Sequence, residues 1–199
     1  MPSTRQPRRS DTRQRIQDVA VELFAEQGYE KTSLREIAER LDVTKAALYY
    51  HFKTKEDIVV SLFEDLTRPL DETLAWGESQ ERGLDTSIEL LRRYSEALEQ
   101  AVPMFRFLHE NQAAVRDLRI GESFKERSLA MVNLLTPPGA GVEEQVRCVS
   151  ALLTLHGSQT FAAALLMGTA EERGRAGLAI AVELIRAAHE RSEQSSAEL

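Results

Sequence analysis

The chain has 199 residues, of which 42% are apolar and 29% charged, so it holds enough apolar material for a packed core in one domain or two. Its single cysteine, Cys148, excludes an internal disulfide and offers no cysteine-based metal cluster. The longest apolar run, around residues 161–167, is far below the ~20 residues that span a bilayer, and the N-terminus lacks the apolar core of a secretion signal. We therefore expect a cytoplasmic globular protein.

The net charge of −7 is unevenly distributed along the chain. Residues 1–60 carry 11 basic against 10 acidic side chains, whereas the remainder carries 14 basic against 22 acidic. The first fifteen residues contain one acidic side chain, Asp11, and five arginines, Arg5, Arg8, Arg9, Arg13 and Arg15. Residues 1–10 therefore read either as a disordered basic arm that meets DNA phosphates or as a solubilising tail.

The apolar spacing is helical almost throughout, which favours an all-α fold of about nine helices. Asp11 begins a first helix that stops near Gly28. Ser33 is followed three residues later by Glu36, and this spacing predicts a capping box at the start of a second helix. Asp42 then interrupts the pattern before a third helix.

The third helix is short and begins at Thr44, with Leu48 and Phe52 as its core positions. Its other face carries side chains that a helix would expose, namely Lys45, Ala46, Ala47, Tyr49, Tyr50 and His51. The DNA major groove is about 12 Å wide and accepts one helix with such groups on its surface. Packing of the aromatic side chains against the first helix is the alternative. The pattern is that of a helix-turn-helix.

The stretch FAEQGYEKTSLREIAERLDVTKAALYYHFKTKEDI resembles the DNA-binding domain of the TetR family, including its TetR/AcrR branch, over about residues 11–60. The resemblance combines the F-x-x-x-G-Y helix end, the T-S-x-R-x-I-A second helix, the L-Y-x-H-F third helix and the K-x-K-E-x-I start of a fourth. Asp42 and Ala46 stand where the family often has glycine. Aspartate tolerates a left-handed turn, whereas Ala46 leaves the base preference open.

The resemblance implies a DNA-contacting role for nine side chains. Arg35 would reach a base edge from the start of the second helix. The floor of the groove would be lined by Lys45, Ala46, Ala47, Tyr50 and His51. Phosphates would be held by Thr44, Tyr49 and Lys55.

We expect residues 11–56 to form the DNA-binding domain, residues 57–191 a helical effector-binding and dimerisation domain, and residues 192–199 a disordered tail. Pro69 is expected to kink or end the fourth helix. Pro103 is expected to close the next helix, so that a separate one follows from Met104.

Two long helices near the C-terminus are rich in small residues and carry apolar stripes that suit self-association. The resemblance implies that such a pair forms a four-helix bundle between two subunits. The candidate dimer residues are Leu152, Leu153, Ala163, Leu178, Val182 and Ile185. A helical hairpin within one chain is the alternative.

The C-terminal region also holds a collection of aromatic, methionine and histidine side chains. They are Trp76, Met104, Phe105, Leu108, His109, Phe124, Met131, His156 and Phe161. Core packing accounts for many of them, but the resemblance implies a small-molecule effector between these helices. Cys148 is expected to be a small buried hydrophobe. No cofactor is expected, and no residue spacing predicts a metal site.

These features together predict a homodimeric DNA-binding repressor that a small, largely apolar effector releases from a palindromic operator. A ligand-independent regulator or architectural DNA-binding protein is the alternative. An enzyme is not expected, because no acid, base and nucleophile converge in the pattern.

Overall fold

The computed structural model describes residues 9–111, 120–159 and 165–197. Over these ranges the chain forms helices and no strand, which confirms the all-α fold. The helices are α1 (Arg9–Gln27), α2 (Leu34–Arg40), α3 (Lys45–His51), α4 (Lys55–Glu78), α5 (Leu84–Glu110), α6 (Ile120–Leu135), α7 (Val142–Gln159) and α8 (Ala170–Ala197). None of these helices is long and apolar enough to cross a membrane.

The chain divides into two compact units, and the division falls inside α4, between Asp65 and Leu66. The first unit takes in the described residues up to Asp65, and the second takes in most of those from Leu66 onward. Sequence patterning placed this boundary after residue 56, at the start of the fourth helix. The structure instead assigns the first turns of α4 to the first unit.

The first unit has a small core built by α1, α2, α3 and the beginning of α4. The ring of Tyr29, in the turn after α1, meets the ring of Phe24 edge-on with 5.1 Å between centroids. The other buried apolar side chains are Ile16, Ala20, Leu23, Ile37, Ala38, Leu48, Phe52, Ile58, Val59, Leu62 and Phe63. Each helix contributes its predicted apolar stripe, so burial of those stripes fixes the arrangement of the first three helices.

The second unit has a larger core formed by the end of α4 and by α5 to α8. Tyr94 is the largest of its fully buried side chains. Cys148 is also fully buried, as expected, and its thiol lies 3.5 Å from the carbonyl oxygen of Leu135. Gly177 of α8 faces Ser158 of α7, and the missing side chain lets the two backbones approach closely.

Helix α1 begins at Arg9, two residues before the expected start at Asp11, and three further helices differ from the sequence expectation. Pro69 lies inside α4, and α5 continues through Pro103, so neither proline ends its helix. A proline in a helix interior removes one hydrogen bond, at a cost of about 3 kcal/mol. In α4 the burial of Leu70 and Leu74 offsets this cost, because both side chains belong to the core of the second unit.

The C-terminal helix also differs. Residues 192–199 were expected to be a disordered tail, but α8 continues to Ala197. Adding a residue to an existing helix requires no new nucleation, so a polar sequence can extend it. Ser192 supports this last part of the helix by donating a hydrogen bond from its hydroxyl to the Pro138 carbonyl oxygen, 3.2 Å away.

Candidate nucleic-acid interface

Helix α2 begins with the capping box that the sequence predicts. The Ser33 hydroxyl accepts a hydrogen bond from the Glu36 backbone N–H at 3.3 Å, and the Glu36 carboxylate accepts one from the Ser33 N–H at 2.8 Å. These bonds satisfy two backbone donors that a helix start leaves unpaired. The Ser33 hydroxyl also donates to the Glu36 carboxylate at 2.7 Å, and this bond, followed by the one from the Ser33 N–H, lowers the pKa of Glu36. The first turn of α2 is therefore fixed.

The turn between α2 and α3 depends on Asp42. Its φ is +54°, the one positive φ of a non-glycine residue in the described part of the chain. Its N–H donates to the Glu39 carbonyl at 3.2 Å, and the following N–H of Val43 donates to Ala38 at 3.0 Å. This confirms that aspartate replaces glycine here by adopting the left-handed conformation.

Helix α3 is held to the first unit along one narrow face. Its Leu48 is fully buried, and Phe52, directly after the helix, is 1% exposed. Thr44 caps the helix, because its hydroxyl oxygen accepts a hydrogen bond from the Ala47 N–H at 3.2 Å. The core roles predicted for Leu48 and Phe52 are thus confirmed.

The opposite face of α3 is open to solvent. Tyr49 is 44% exposed and Tyr50 57%, and the ring of Tyr50 meets that of His51 edge-on at 5.3 Å. The remaining exposed side chains of this face are Thr44, Lys45, Ala46 and Ala47. The structure therefore brings seven of the predicted DNA-contacting residues onto one short helix and its cap.

Arg35 lies on the exposed side of α2. Its guanidinium Nε is 2.6 Å from the carboxylate of Glu39, and both side chains are well exposed, at 68% and 60%. An exposed ion pair of this kind contributes little free energy, so the guanidinium can exchange its partner for another acceptor.

Lys55, assigned to phosphate by resemblance, also contacts the protein itself. Its ammonium donates to the Tyr29 carbonyl oxygen at 2.6 Å and lies 4.0 Å from the centroid of the Tyr29 ring. The Tyr29 hydroxyl donates to Glu56 at 3.0 Å, and burial together with this bond raises the tyrosine pKa. The ammonium has three donors, so these contacts fix Lys55 at the start of α4 and leave donors for a phosphate.

A buried polar cluster between α1 and α4 was not predicted. Gln17 is 1% exposed, and its amide nitrogen donates to the Ser61 hydroxyl at 2.8 Å and to Asp65 at 2.7 Å. Arg13 donates to Ser61 at 2.5 Å and lies over the Phe52 ring, 4.5 Å from its centroid. Sequence patterning treats Arg13 as part of the basic arm, because nothing local shows that a distant serine pairs with it.

The predicted dimer residues separate into two groups. Leu152 and Ile185 are buried, and Leu178 and Val182 pack against the same core, so these four side chains join α7 to α8 within one chain. Leu153 is 56% exposed. The intrachain hairpin left open by the sequence therefore accounts for the first four, and Ala163 lies outside the described residues.

The residues predicted for an effector site also differ in placement. Met131 is fully buried in the core, and Trp76 packs against that core under the guanidinium of Arg93, which is 4.2 Å from the ring centroid. Phe124 and His156 contact each other, with ring centroids 5.1 Å apart. The side chains of Met104, Phe105, Leu108 and His109 lie outside the described part of the structure, as does Phe161.

A capped α2, a tight turn and a short α3 with an open polar and aromatic face define a helix-turn-helix DNA-binding protein. Residues 16–62 match the family model "Bacterial regulatory proteins, tetR family". This match covers about a quarter of the chain and confirms the resemblance to the TetR family that its sequence shows.

Curated relatives match the same region. The chain is 50% identical over 54 residues to the transcriptional regulator AcrR of Shigella flexneri. This alignment covers 27% of this chain and 25% of that protein. It is 48% identical over 44 residues to the negative regulator IcaR of the icaADBC biofilm operon of Staphylococcus aureus. This alignment covers 22% of this chain and 24% of that protein. These alignments span about a quarter of each relative. Both relatives are regulators rather than enzymes, in agreement with the sequence expectation.

Solved structures extend the likeness to the whole fold. A TetR-family regulator from Syntrophomonas wolfei superposes with a TM-score of 0.64 at 22% identity, over 89% of this chain and 96% of that one. The ketosteroid regulator KstR2 of Mycobacterium tuberculosis gives a TM-score of 0.60 at 20% identity, also over 89% and 96%. At these identities the likeness establishes the fold.

Proposed function

We propose that the protein is a homodimeric repressor that binds a palindromic DNA operator and leaves it when a small, largely apolar effector binds in its second unit. The observation that carries this proposal is the open face of α3. A seven-residue helix that buries only Leu48 presents three aromatic or imidazole rings and a lysine to solvent. Such a helix fits the major groove, where donors and apolar groups read base edges.

Within that helix, Ala46, Ala47 and Tyr50 lie at the spacing of one helix face and read the groove floor with Lys45 and His51. Arg35 reaches a guanine edge from α2 after exchanging its Glu39 partner. The Thr44 hydroxyl accepts from the helix, and its own O–H donates to a phosphate. Tyr49 and Lys55 bind phosphates of the DNA backbone on the same side of the groove.

The dimer is proposed to form through an apolar stripe on α7 that the core leaves exposed. This stripe, which we call the α7 stripe, consists of Val142, Val146, Val149 and Leu153, spaced four, three and four residues apart and between 41% and 77% exposed. That is the spacing of a helix seam that packs against another helix. A two-fold dimer carries two copies of α3, which suits a palindrome with half-sites about 34–36 Å apart or a multiple.

The effector is proposed to bind beside Phe124 and His156 in the second unit. Tyr94 is also near, because its hydroxyl lies 3.1 Å from the His156 Nε2. An effector that binds better to the conformation unsuited to the operator shifts the population toward it. The helix α4 belongs to both units, so a change in the second unit has a continuous helix through which to reach the first.

A gel-shift titration on the upstream region of the protein's own gene tests the DNA-binding face. Tyr49→Ala and Lys45→Ala should each weaken binding about tenfold or more, and Lys45→Ala should also relax the base preference, because Lys45 is assigned to the groove floor. Lys125→Ala, which removes an exposed lysine from α6, is the matched control and should bind as wild type. Wild-type affinity in both α3 variants would contradict the proposed interface.

Analytical ultracentrifugation tests the α7 stripe. Val146→Glu places a charge in the proposed seam and should shift the protein toward monomer, whereas Gln145→Glu, at an exposed neighbouring position outside the stripe, should not. A dimer of unchanged affinity in Val146→Glu would exclude this surface. If the dimer and operator binding are intact but no small molecule alters the gel shift, the protein is a ligand-independent regulator.

A further inference from the structure

Gln159, the last residue of α7, holds a buried hydrogen-bond acceptor that pairs with none of the described residues. Its side-chain amide nitrogen donates to the Ser95 hydroxyl at 2.8 Å and reaches the Ser95 carbonyl oxygen at 3.5 Å. The residue is 9% exposed, and its Oε1 has no hydrogen-bond partner within the described structure. This oxygen is therefore a polar atom that the fold removes from water without satisfying it.

The direction of the amide is set by Ser95. The Ser95 carbonyl oxygen can only accept a hydrogen bond, so its 3.5 Å contact with the amide nitrogen favours the orientation in which Oε1 points away. A buried acceptor that stays unpaired is destabilising, and such groups in native structures call for a specific explanation. A bound molecule that donates a hydrogen bond removes this destabilisation.

The ring side chains one helical turn before Gln159 are uncharged, and the nearest charge given by the structure is a carboxylate. One helical turn earlier, His156 pairs with the Tyr94 hydroxyl and contacts the Phe124 ring. Burial lowers the His156 pKa to about 4, so its imidazole is neutral at physiological pH. Arg127, the cation whose charge reaches Tyr94, is bound through two nitrogens to the Asp71 carboxylate. The exposed carboxylate of Glu99 lies across from Gln159, near Gly174.

We propose that Gln159 Oε1 is the acceptor that recognises the effector, and that the effector is an uncharged molecule carrying a hydroxyl or amide N–H donor on an apolar body. This inference rests on the effector site of the proposed function. A carboxylate would place a second acceptor against Oε1 and bring a negative charge toward Glu99. A molecule with only an ether oxygen would leave Oε1 unsatisfied.

Isothermal titration calorimetry with the purified full-length protein tests the chemistry. The probes are straight-chain 1-alcohols of six, eight and ten carbons and benzyl alcohol, each beside its methyl ether and the corresponding carboxylate. At least one alcohol should bind about tenfold more tightly than its methyl ether, and no carboxylate should equal its alcohol. Equal affinity of alcohol and ether throughout, or no binding by any alcohol, would overturn the assignment.

Two variants locate the preference. Gln159→Leu removes Oε1 and should reduce the alcohol-to-ether ratio to about one while apolar binding remains. Gln145→Leu, at an exposed position on the same helix, should keep the wild-type ratio. If Gln159→Leu fails to fold, the wild-type ranking of alcohol, ether and carboxylate still decides. A preserved ratio in folded Gln159→Leu would show that another group accepts the hydrogen bond.

Calorimetry without DNA separates this inference from the proposed function. If an alcohol binds with the expected preference but leaves the gel shift unchanged, the acceptor role stands and ligand-controlled repression fails. If another compound releases the operator while alcohols and ethers bind alike, repression stands and the acceptor role of Gln159 fails.

Discussion

Gly177→Ala should separate α7 from α8. A Cβ at position 177 would lie 2.1 Å from the Ser158 hydroxyl oxygen and 2.7 Å from the Ser158 Cβ. The hydroxyl can rotate away, but the Ser158 Cβ is fixed to the backbone. An ordinary contact of 3.4 Å therefore requires the helices to move apart by about 0.7 Å.

The expected magnitude comes from two opposing effects. Overpacking of this kind costs about 1–3 kcal/mol. Replacing glycine by alanine within a helix returns about 0.5–1 kcal/mol. The net loss is on the order of 1 kcal/mol, or about 2–4 °C in melting temperature for a chain of this size.

Urea and thermal unfolding at a fixed protein concentration measure this loss, because a dimer's stability depends on concentration. Gly83→Ala is the control, since a Cβ there meets nothing within 4 Å and the variant should unfold near wild type. Adding Ser158→Gly to Gly177→Ala should recover part of the packing loss in a double-mutant cycle. If Gly177→Ala is as stable as wild type, the close approach does not limit the packing of α7 on α8.

Three further predictions concern other parts of the structure. In the unfolded chain His156 binds a proton below pH 6.5, whereas in the folded chain it does so only near pH 4. The free energy of unfolding should therefore decrease by on the order of 3 kcal/mol as the pH is lowered from 6.5 to 4. Urea titrations at several pH values should show a weaker pH dependence in His156→Gln and an unchanged one in Tyr94→Phe. Asp42→Gly should preserve or raise the melting temperature, because glycine adopts a positive φ without strain, whereas Asp42→Val should lower it by several degrees. Equal melting temperatures of the two variants would refute the strain argument. Ser33→Ala should cost about 1 kcal/mol in urea unfolding by removing the cap of α2, while the exposed Ser79→Ala should cost less.

The first unit was largely predictable because its signals are local. The capping box at Ser33, the left-handed turn at Asp42 and the cap at Thr44 each depend on residues within four positions of one another. Which side chains of α3 stay exposed follows in the same way from Leu48 and Phe52, since burial of these two positions determines which face of a short helix remains open.

The second unit was less predictable because its decisive contacts are distant in sequence. Pro69 does not break α4, since tertiary burial of its neighbours outweighs the local cost. Both faces of α7 are apolar, so periodicity alone cannot say that Leu152 faces the subunit core and Leu153 faces solvent. The hydrogen bond between Gln159 and Ser95 joins residues on different helices, and no local sequence pattern predicts it.

The burial of Cys148 makes the chain convenient for distance measurements by spectroscopy. Its thiol is fully buried, and burial raises its pKa, so it forms little of the thiolate that reacts with maleimide or methanethiosulfonate reagents. It is also the only cysteine in the sequence. A single cysteine introduced at an exposed position such as Ala46 can therefore carry a spin label or fluorophore selectively while the native cysteine stays in place. The separation of the two α3 helices in a dimer then becomes directly measurable with and without an alcohol probe.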